Sequence, residues 1–142
     1  MTCLPDVNLW LAMAVARHIH HSAARAWLDR QEYDRIVFCR VTEMGLLRLL
    51  TNTHVMQDGV LSPARAWAVR DAFLEDDRVS FAEEPAGFSG RWREIASARK
   101  AGTNFWTDAY LAAFCRASGY TLVTFDRGLK HYKGCPVELL IP

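Results

Sequence analysis

Long apolar runs, clustered cysteines and an excess of either charge are all missing from this chain. No apolar run approaches the roughly twenty residues that span a bilayer, so no membrane segment is expected. The four cysteines, Cys3, Cys39, Cys115 and Cys135, are too far apart for a CxxC or zinc-ribbon pattern. They read as reduced thiols, three of them in apolar runs, which suits a cytoplasmic protein. Asp6 interrupts the first apolar stretch and no basic segment precedes it, which argues against a signal peptide. The net charge is only +1, so no long-range field draws the chain to a polyanion. Lysine is scarce, three residues against fourteen arginines, and any anion binding must come from local clusters. Linkers, repeats and low-complexity tracts are absent too, and 142 residues suit one domain, expected over 1–142.

What is present is an alternation of two patterns. Short β-branched or apolar runs, "TCL" (2–4), "RIVFC" (35–39), "RVSFA" (78–82), "YTLVTF" (120–125) and "VELLI" (137–141), read as strands. Between them lie helical periodicities over residues 7–16, 20–31, 42–52, 89–100 and 107–118, and a further helix opening at Ser62-Pro63. Gly119 is a suitable residue to end the fifth of these. "YTLVTF" is apolar almost throughout, as a strand covered on both faces should be. This order predicts an α/β fold with a central parallel sheet and helices on both sides. Ligands of such sheets bind outside the carboxyl ends of the strands.

Four acids occupy unusual places in that plan. Asp6 and Asp126 directly follow strands. Glu43 and Asp108 each follow a threonine, Thr42 or Thr107, that reads as an N-cap, and each leads a stripe at i+3, i+4 and i+7 that should be buried. For Glu43 the stripe is Leu46, Leu47 and Leu50. For Asp108 it is Leu111, Ala112 and Cys115. Singly, each acid is explained by capping or by the helix dipole. Capping does not, however, require the acid to lie on the core-facing stripe. If all four converge, their mutual repulsion and burial raise their pKa values, and a divalent cation relieves the conflict. Oxygen ligands without nearby His or Cys favour Mg²⁺, with Mn²⁺ as a substitute.

The stretches "LPDVNLWLA" (4–12), "RVTEMGLLRLLTN" (40–52), "TDAYLAAFCRASGYTLVTFD" (107–126) and "RGL" (127–129) resemble PIN-domain ribonucleases, and within them the VapC toxins of type II toxin–antitoxin pairs. The elements D-x-N, T-E, D-A-x-L-A-A and T-x-D are short, but their order and spacing run nearly end to end. The resemblance implies a three-layer α/β/α fold and a Mg²⁺-dependent endoribonuclease acting on RNA, such as transfer RNA or other structured loops. It also implies cleavage leaving a 5′-phosphate and a 3′-hydroxyl, a homodimer, and inhibition by a VapB-like antitoxin. By the same resemblance Asp6, Glu43, Asp108 and Asp126 match the catalytic, metal-binding acids. Asn8 and Thr124 match polar positions that hold carboxylates or water. No acid stands shortly after Asp126, where some relatives have one.

Arg48, Arg127 and Lys130 lie close in sequence to proposed ligands and are candidates for contacting substrate phosphates. Trp10 and Trp106 could stack an unpaired base, although packing in the core or in a dimer contact is the preferred expectation. His20 and His21 point about 100° apart on a helix and read as surface or cap residues. The acids at 75–77 and 83–84 read as solvated loop charges. Two other classes compete. A phosphoacceptor signalling domain also gathers acids on Mg²⁺, but it needs an Asp ending the third strand and a Lys after the last, and neither is present. A catalytically silent interaction module of the same fold would be expected to have lost an acid.

Overall fold

The structure is a computed structural model, and it describes residues 1–98 and 100–142. The strands are β1 (Thr2–Pro5), β2 (Arg35–Phe38), β3 (Val79–Phe81), β4 (Thr121–Thr124) and β5 (Val137–Leu139). The helices are α1 (Val7–Ala14), α2 (His21–Asp29), α3 (Arg40–Leu50), α4 (Thr53–Met56), α5 (Pro63–Leu74), α6 (Phe88–Ser97) and α7 (Phe105–Ser118). The strands form one sheet in the order β3-β2-β1-β4-β5, and every pairing is parallel. β1 and β4 therefore lie side by side, with Leu4 opposite Leu122 and Pro5 opposite Val123. Their carboxyl ends, and the acids that follow them, come out at one rim.

Alternation along the strands divides the core in two. Cys3, Ile36, Phe38, Val79 and Val123 face one side, against Leu9, Trp10 and Met13 of α1, Trp27 of α2, Leu46 and Leu50 of α3, and Ala66 of α5. Leu4, Val37 and Leu122 face the other, against Phe88 and Ile95 of α6 and a run of α7 from Ala109 to Cys115. This is the three-layer α/β/α arrangement. Trp10 is wholly buried and stacks on Phe38, with ring centroids 3.7 Å apart and planes 11° from parallel. It belongs to the core, as preferred from sequence, and offers nothing to a ligand. Among the described residues no helix is long and apolar enough to cross a membrane.

Several boundaries differ from expectation. α3 and α7 begin at Arg40 and Phe105, and the residues before them, Cys39 and Asn104, occupy the cap positions. Thr42 and Thr107 are thus inside the first turns. Thr42 still serves the helix start, because its hydroxyl oxygen accepts from the Cys39 N–H at 3.0 Å. The expected helix 89–100 runs from Phe88 to Ser97, and Arg99 within that expectation lies outside the described residues. A short helix at Thr53–Met56, capped by the Asn52 side chain, was not anticipated. The acids expected to be solvated are partly engaged. Asp76 pairs with Arg78 at 2.6 Å, and Glu84 accepts from the Tyr110 hydroxyl at 2.8 Å.

Candidate active site

A cavity of about 530 Å³ opens at the carboxyl rim of the sheet. Three elements deliver acids to it. Asp6 leaves β1 and caps α1, with its Oδ1 accepting from the Leu9 N–H at 2.9 Å. Its Oδ2 accepts from the Thr124 hydroxyl at 2.5 Å, and that hydroxyl oxygen in turn accepts from the Asp126 N–H at 2.9 Å. Thr124 is fully buried at the end of β4, so it ties the two neighbouring strand ends to each other through the Asp6 carboxylate. Asp126 caps the 3-10 turn that follows, accepting from the Gly128 N–H at 2.8 Å. Asp108 enters from the first turn of α7. Capping and convergence are therefore not alternatives here, since Asp6 and Asp126 do both.

The electrostatics record the conflict. Asp6 is only 6% exposed. Burial, opposed by its two hydrogen bonds and aided by the nearby Asp126 charge, lifts its pKa from the ordinary 3.8 to about 6. Asp108 is half-buried and is also raised to about 6, by burial first and then by the charges of Asp126 and Asp6. Asp6 and Asp108 thus both sense the Asp126 charge, and Asp108 senses that of Asp6 as well. The three carboxylates are spread around an open cavity, and among the described residues no group of three or more His, Cys, Asp or Glu side chains is gathered closely enough to hold a metal ion. Among the described residues neither His nor Cys lines the cavity. An open set of hard oxygens suits a cation such as Mg²⁺, which keeps much of its water and takes one or two carboxylates.

Glu43 is the correction. It is buried, at 2% exposure, on the stripe with Leu46 and Leu50. That stripe faces α5 and not the rim. One carboxylate oxygen of Glu43 is paired with Arg40 and the other with Arg70 at 2.9 Å. The α3 residues that do line the cavity are Val41, Met44, Gly45, Arg48 and Leu49. They lie on the opposite face of α3, roughly 170° around the helix from Glu43. A Cβ on Gly45 would fall 2.6 Å from a Val7 methyl, so this position lets α3 approach α1 closely beside Asp6. No acid of α3 therefore joins Asp6, Asp108 and Asp126.

Of the other anticipated residues, Asn8 and Arg48 line the cavity. Arg127 and Lys130 are exposed on the 3-10 turn after Asp126 and do not line it. His20 takes the cap position of α2 without a capping side-chain bond, and His21 Nδ1 lies 2.7 Å from the Ala12 carbonyl oxygen. Sequence reasoning passed over Asn104, which lines the acid cavity, and Lys100. Lys100 lines a neighbouring cavity of about 490 Å³ that shares Asn104 and Asp108 with the first. Proximity to an acid in sequence favoured Arg127 and Lys130, whereas Lys100 arrives through the loop leading into α7.

The sequence pattern of the PIN domain family matches residues 3–134. The chain is similar to Ribonuclease VapC41 of Mycobacterium tuberculosis, with 44% identity over 142 residues, 96% of this chain and 97% of that protein. It is 34% identical over 142 residues to Ribonuclease VapC29 of the same organism, covering all of this chain and 98% of the relative. Among solved structures, VapBC2 from Rickettsia felis, bound to a DNA fragment from the promoter, superposes with a TM-score of 0.74. The identity there is 16%, over 99% of this chain and 100% of that one. Mycobacterium tuberculosis VapC20, described as a sarcin-ricin loop cleaving toxin, gives 0.67 at 17% identity, covering 90% and 92%. At such identities the superpositions speak for the fold.

Proposed function

The chain belongs to the PIN-domain family, among the VapC ribonucleases, and we propose that it is a divalent-metal-dependent endoribonuclease, the toxin of a VapBC-type pair. The observation that carries this reading is the convergence of Asp6, Asp108 and Asp126 on one cavity, two of them with pKa values raised to about 6. A site that strains its own carboxylates in this way is built for a positive charge. Asp6, Asp108 and Asp126 would hold the cation, Mg²⁺ or Mn²⁺. When bound, it acidifies water and offsets charge developing on the scissile phosphate.

The chain's own residues supply the rest. Asp6 is fixed by the Leu9 N–H and the Thr124 hydroxyl, so its carboxylate stays in place without a ligand. Thr124, locked between Asp6 and the Asp126 N–H, is a positioning residue. Asp108, the less constrained of the two raised acids, is suited to accept a proton from the attacking water. Arg48 and Asn8 on one wall, and Lys100 beyond Asp108, are placed to receive phosphate oxygens. Family resemblance implies that the bond broken is the one to the 3′ oxygen, which would leave a 5′-phosphate and a 3′-hydroxyl.

A VapB-like antitoxin is the partner this reading implies, and the neighbour from Rickettsia felis is itself a VapBC pair. A homodimer is proposed on family grounds. The test is cleavage of total RNA by the parent and by Asp108→Asn, with Mg²⁺ and with EDTA. Mg²⁺-dependent fragments bearing 5′-phosphates, lost by about two orders of magnitude or more in the variant, are expected. Equal cleavage by both proteins, or cleavage indifferent to EDTA, would overturn the reading.

A further inference from the structure

A second cavity, of about 430 Å³, lies on the other side of α7 from the acids. Its walls are Trp92, Arg93 and Ala96 of α6, with Ser89 and Ser97, and Trp106 of α7. We propose that this cavity is a subsite for an unpaired RNA base flanking the cleaved bond, with the Trp106 and Trp92 rings as its platform and Arg93 on its rim. The proposal rests on the ribonuclease reading above and names a place where that enzyme grips its substrate.

Trp106 is 61% exposed, the most exposed of the five tryptophans. It is nevertheless held in place. Its ring meets Trp92 edge-to-face at 6.2 Å and 82°, and Phe105 edge-to-face at 5.1 Å and 77°. Trp92 is anchored further by Phe88 at 5.7 Å and Tyr110 at 5.7 Å. The result is a rigid aromatic corner with an open face, which binds a flat ring at little cost in ordering. The volume falls in the range of small-ligand sites, about 300–1,000 Å³.

The wall chemistry favours a base on a polyanionic chain over an apolar peptide. Among the described residues no carboxylate lines this cavity. Arg93 is exposed and, among the described residues, has no ion-pair partner, so its guanidinium can stack on a base or meet a phosphate. The segment "RWREIASARK" (91–100) carries four cations against a single acid around its Trp, the interleaving that single-stranded nucleic acid binders use.

Continuity with the acid cavity supplies the register. Asn104 and Asp108 are shared between the acid cavity and the cavity of Lys100, which also includes Phe105. The Phe105 ring then touches Trp106. Trp106 and Asp108 are two residues apart in the first turn of α7, about 3 Å along its axis and about 200° around it. A strand crossing the start of α7 would cover roughly 10 Å, the width of a helix, passing Lys100 on the way. Neighbouring nucleotides of an extended strand bridge such a gap.

The experiment compares the parent with Trp106→Leu, which keeps apolar bulk but no ring, and Trp106→Phe, which keeps a ring. Since Trp106 is mostly exposed, neither change threatens the fold. Binding of a labelled unpaired RNA oligonucleotide is followed by anisotropy in EDTA, where cleavage is off, and the oligonucleotide is scanned with single abasic nucleotides. Trp106→Leu should weaken binding roughly five- to a hundredfold, and Trp106→Phe should restore most of it. One abasic position should weaken the parent equally and add nothing in Trp106→Leu. Sedimentation at matched concentration should show the same oligomeric state for all three. If Trp106→Leu binds RNA as the parent does, or if it dissociates an oligomer and loses RNA binding only to that extent, the base subsite is wrong and the ribonuclease reading stands. Failure of the parent to bind or cut any RNA overturns both.

Discussion

Replacing Asp6 with asparagine should make the protein more stable at alkaline pH, and the size of the effect follows from the site. Asp6 is 6% exposed, and burial raises its pKa from 3.8 to about 6. For a carboxyl raised on folding, the native state binds more protons than the unfolded state between those two values. Stability therefore falls as pH rises through that window, and the cost is complete above it. The difference of about two pH units corresponds to about 3 kcal/mol. Asp6→Asn removes that charge, and its amide oxygen still accepts from the Leu9 N–H. Its NH₂ group cannot accept from the Thr124 hydroxyl, which loses its acceptor at a cost of about 1 kcal/mol. The net expectation is a gain of about 2 kcal/mol near pH 8 in EDTA, roughly a 5 °C rise in Tm for a chain of this size.

The same reasoning fixes two controls. Near pH 4 the parent carries Asp6 protonated in the fold, so the gain disappears and the variant is equal or about 1 kcal/mol worse. Saturating Mg²⁺ at pH 8 should stabilise the parent by about 3 kcal/mol at a hundred times its dissociation constant, and the variant by much less. Urea titrations at the two pH values, with and without the ion, provide the measurement. A variant less stable than the parent at pH 8 in EDTA, or a difference that ignores pH, would show that Asp6 is not an electrostatically strained carboxylate.

Other expectations follow from the neighbours of the site. Glu43→Gln should leave the rate of RNA cleavage within about a factor of two while lowering stability by about 2 kcal/mol, because Arg40 and Arg70 lose their anionic partner; a loss of cleavage like that of Asp108→Asn would return Glu43 to the site. Gly45→Ala should destabilise by about 1–3 kcal/mol, since its Cβ meets Val7 at 2.6 Å, and denaturation midpoints would report it. Lys100→Gln and Arg48→Gln should each weaken binding of single-stranded RNA and reduce the slope of log affinity against log salt by about 0.7, read from a salt titration. An unchanged slope would remove that residue from the phosphate path.

The pattern of residues carried the layer order and the position of the rim, because a parallel sheet sends every strand end to one side. Asp6 and Asp126 were legible as residues of that rim for that reason. Helix starts were less so. Thr42 and Thr107 look like caps by composition, yet Cys39 and Asn104 hold those positions, and each helix begins most of a turn earlier than the threonine suggests. Glu43 was misplaced by a related step. A buried stripe marks the face turned to the core, but whether that face also borders the rim depends on how α3 leans on α5, which periodicity does not encode. Trp92 and Arg93 share a cavity with Trp106, and Lys100 shares another with Asp108, only through the way α6 and the start of α7 pack, which periodicity does not encode.

Moving Glu43 out of the site changes its charge balance in a way that bears on metal number. Four converging carboxylates would call for two divalent ions to reach neutrality. Three carboxylates, one of them exposed on Asp126, leave a single negative charge beside one such ion, and Arg48 lines the same cavity. Near pH 6 the raised values of Asp6 and Asp108 reduce the negative charge further. A second ion would then enter a site with little left to attract it, unless a substrate phosphate brought the missing charge. The chain should accordingly bind one Mg²⁺ or Mn²⁺ per protomer in the absence of RNA, with affinity falling as pH drops through about 6. Calorimetric titration with Mn²⁺ at pH 8 and pH 5.5 reads both the number and the trend. Two tight sites without RNA, or affinity independent of pH, would mean that another acid, Glu43 foremost, swings in to complete the set.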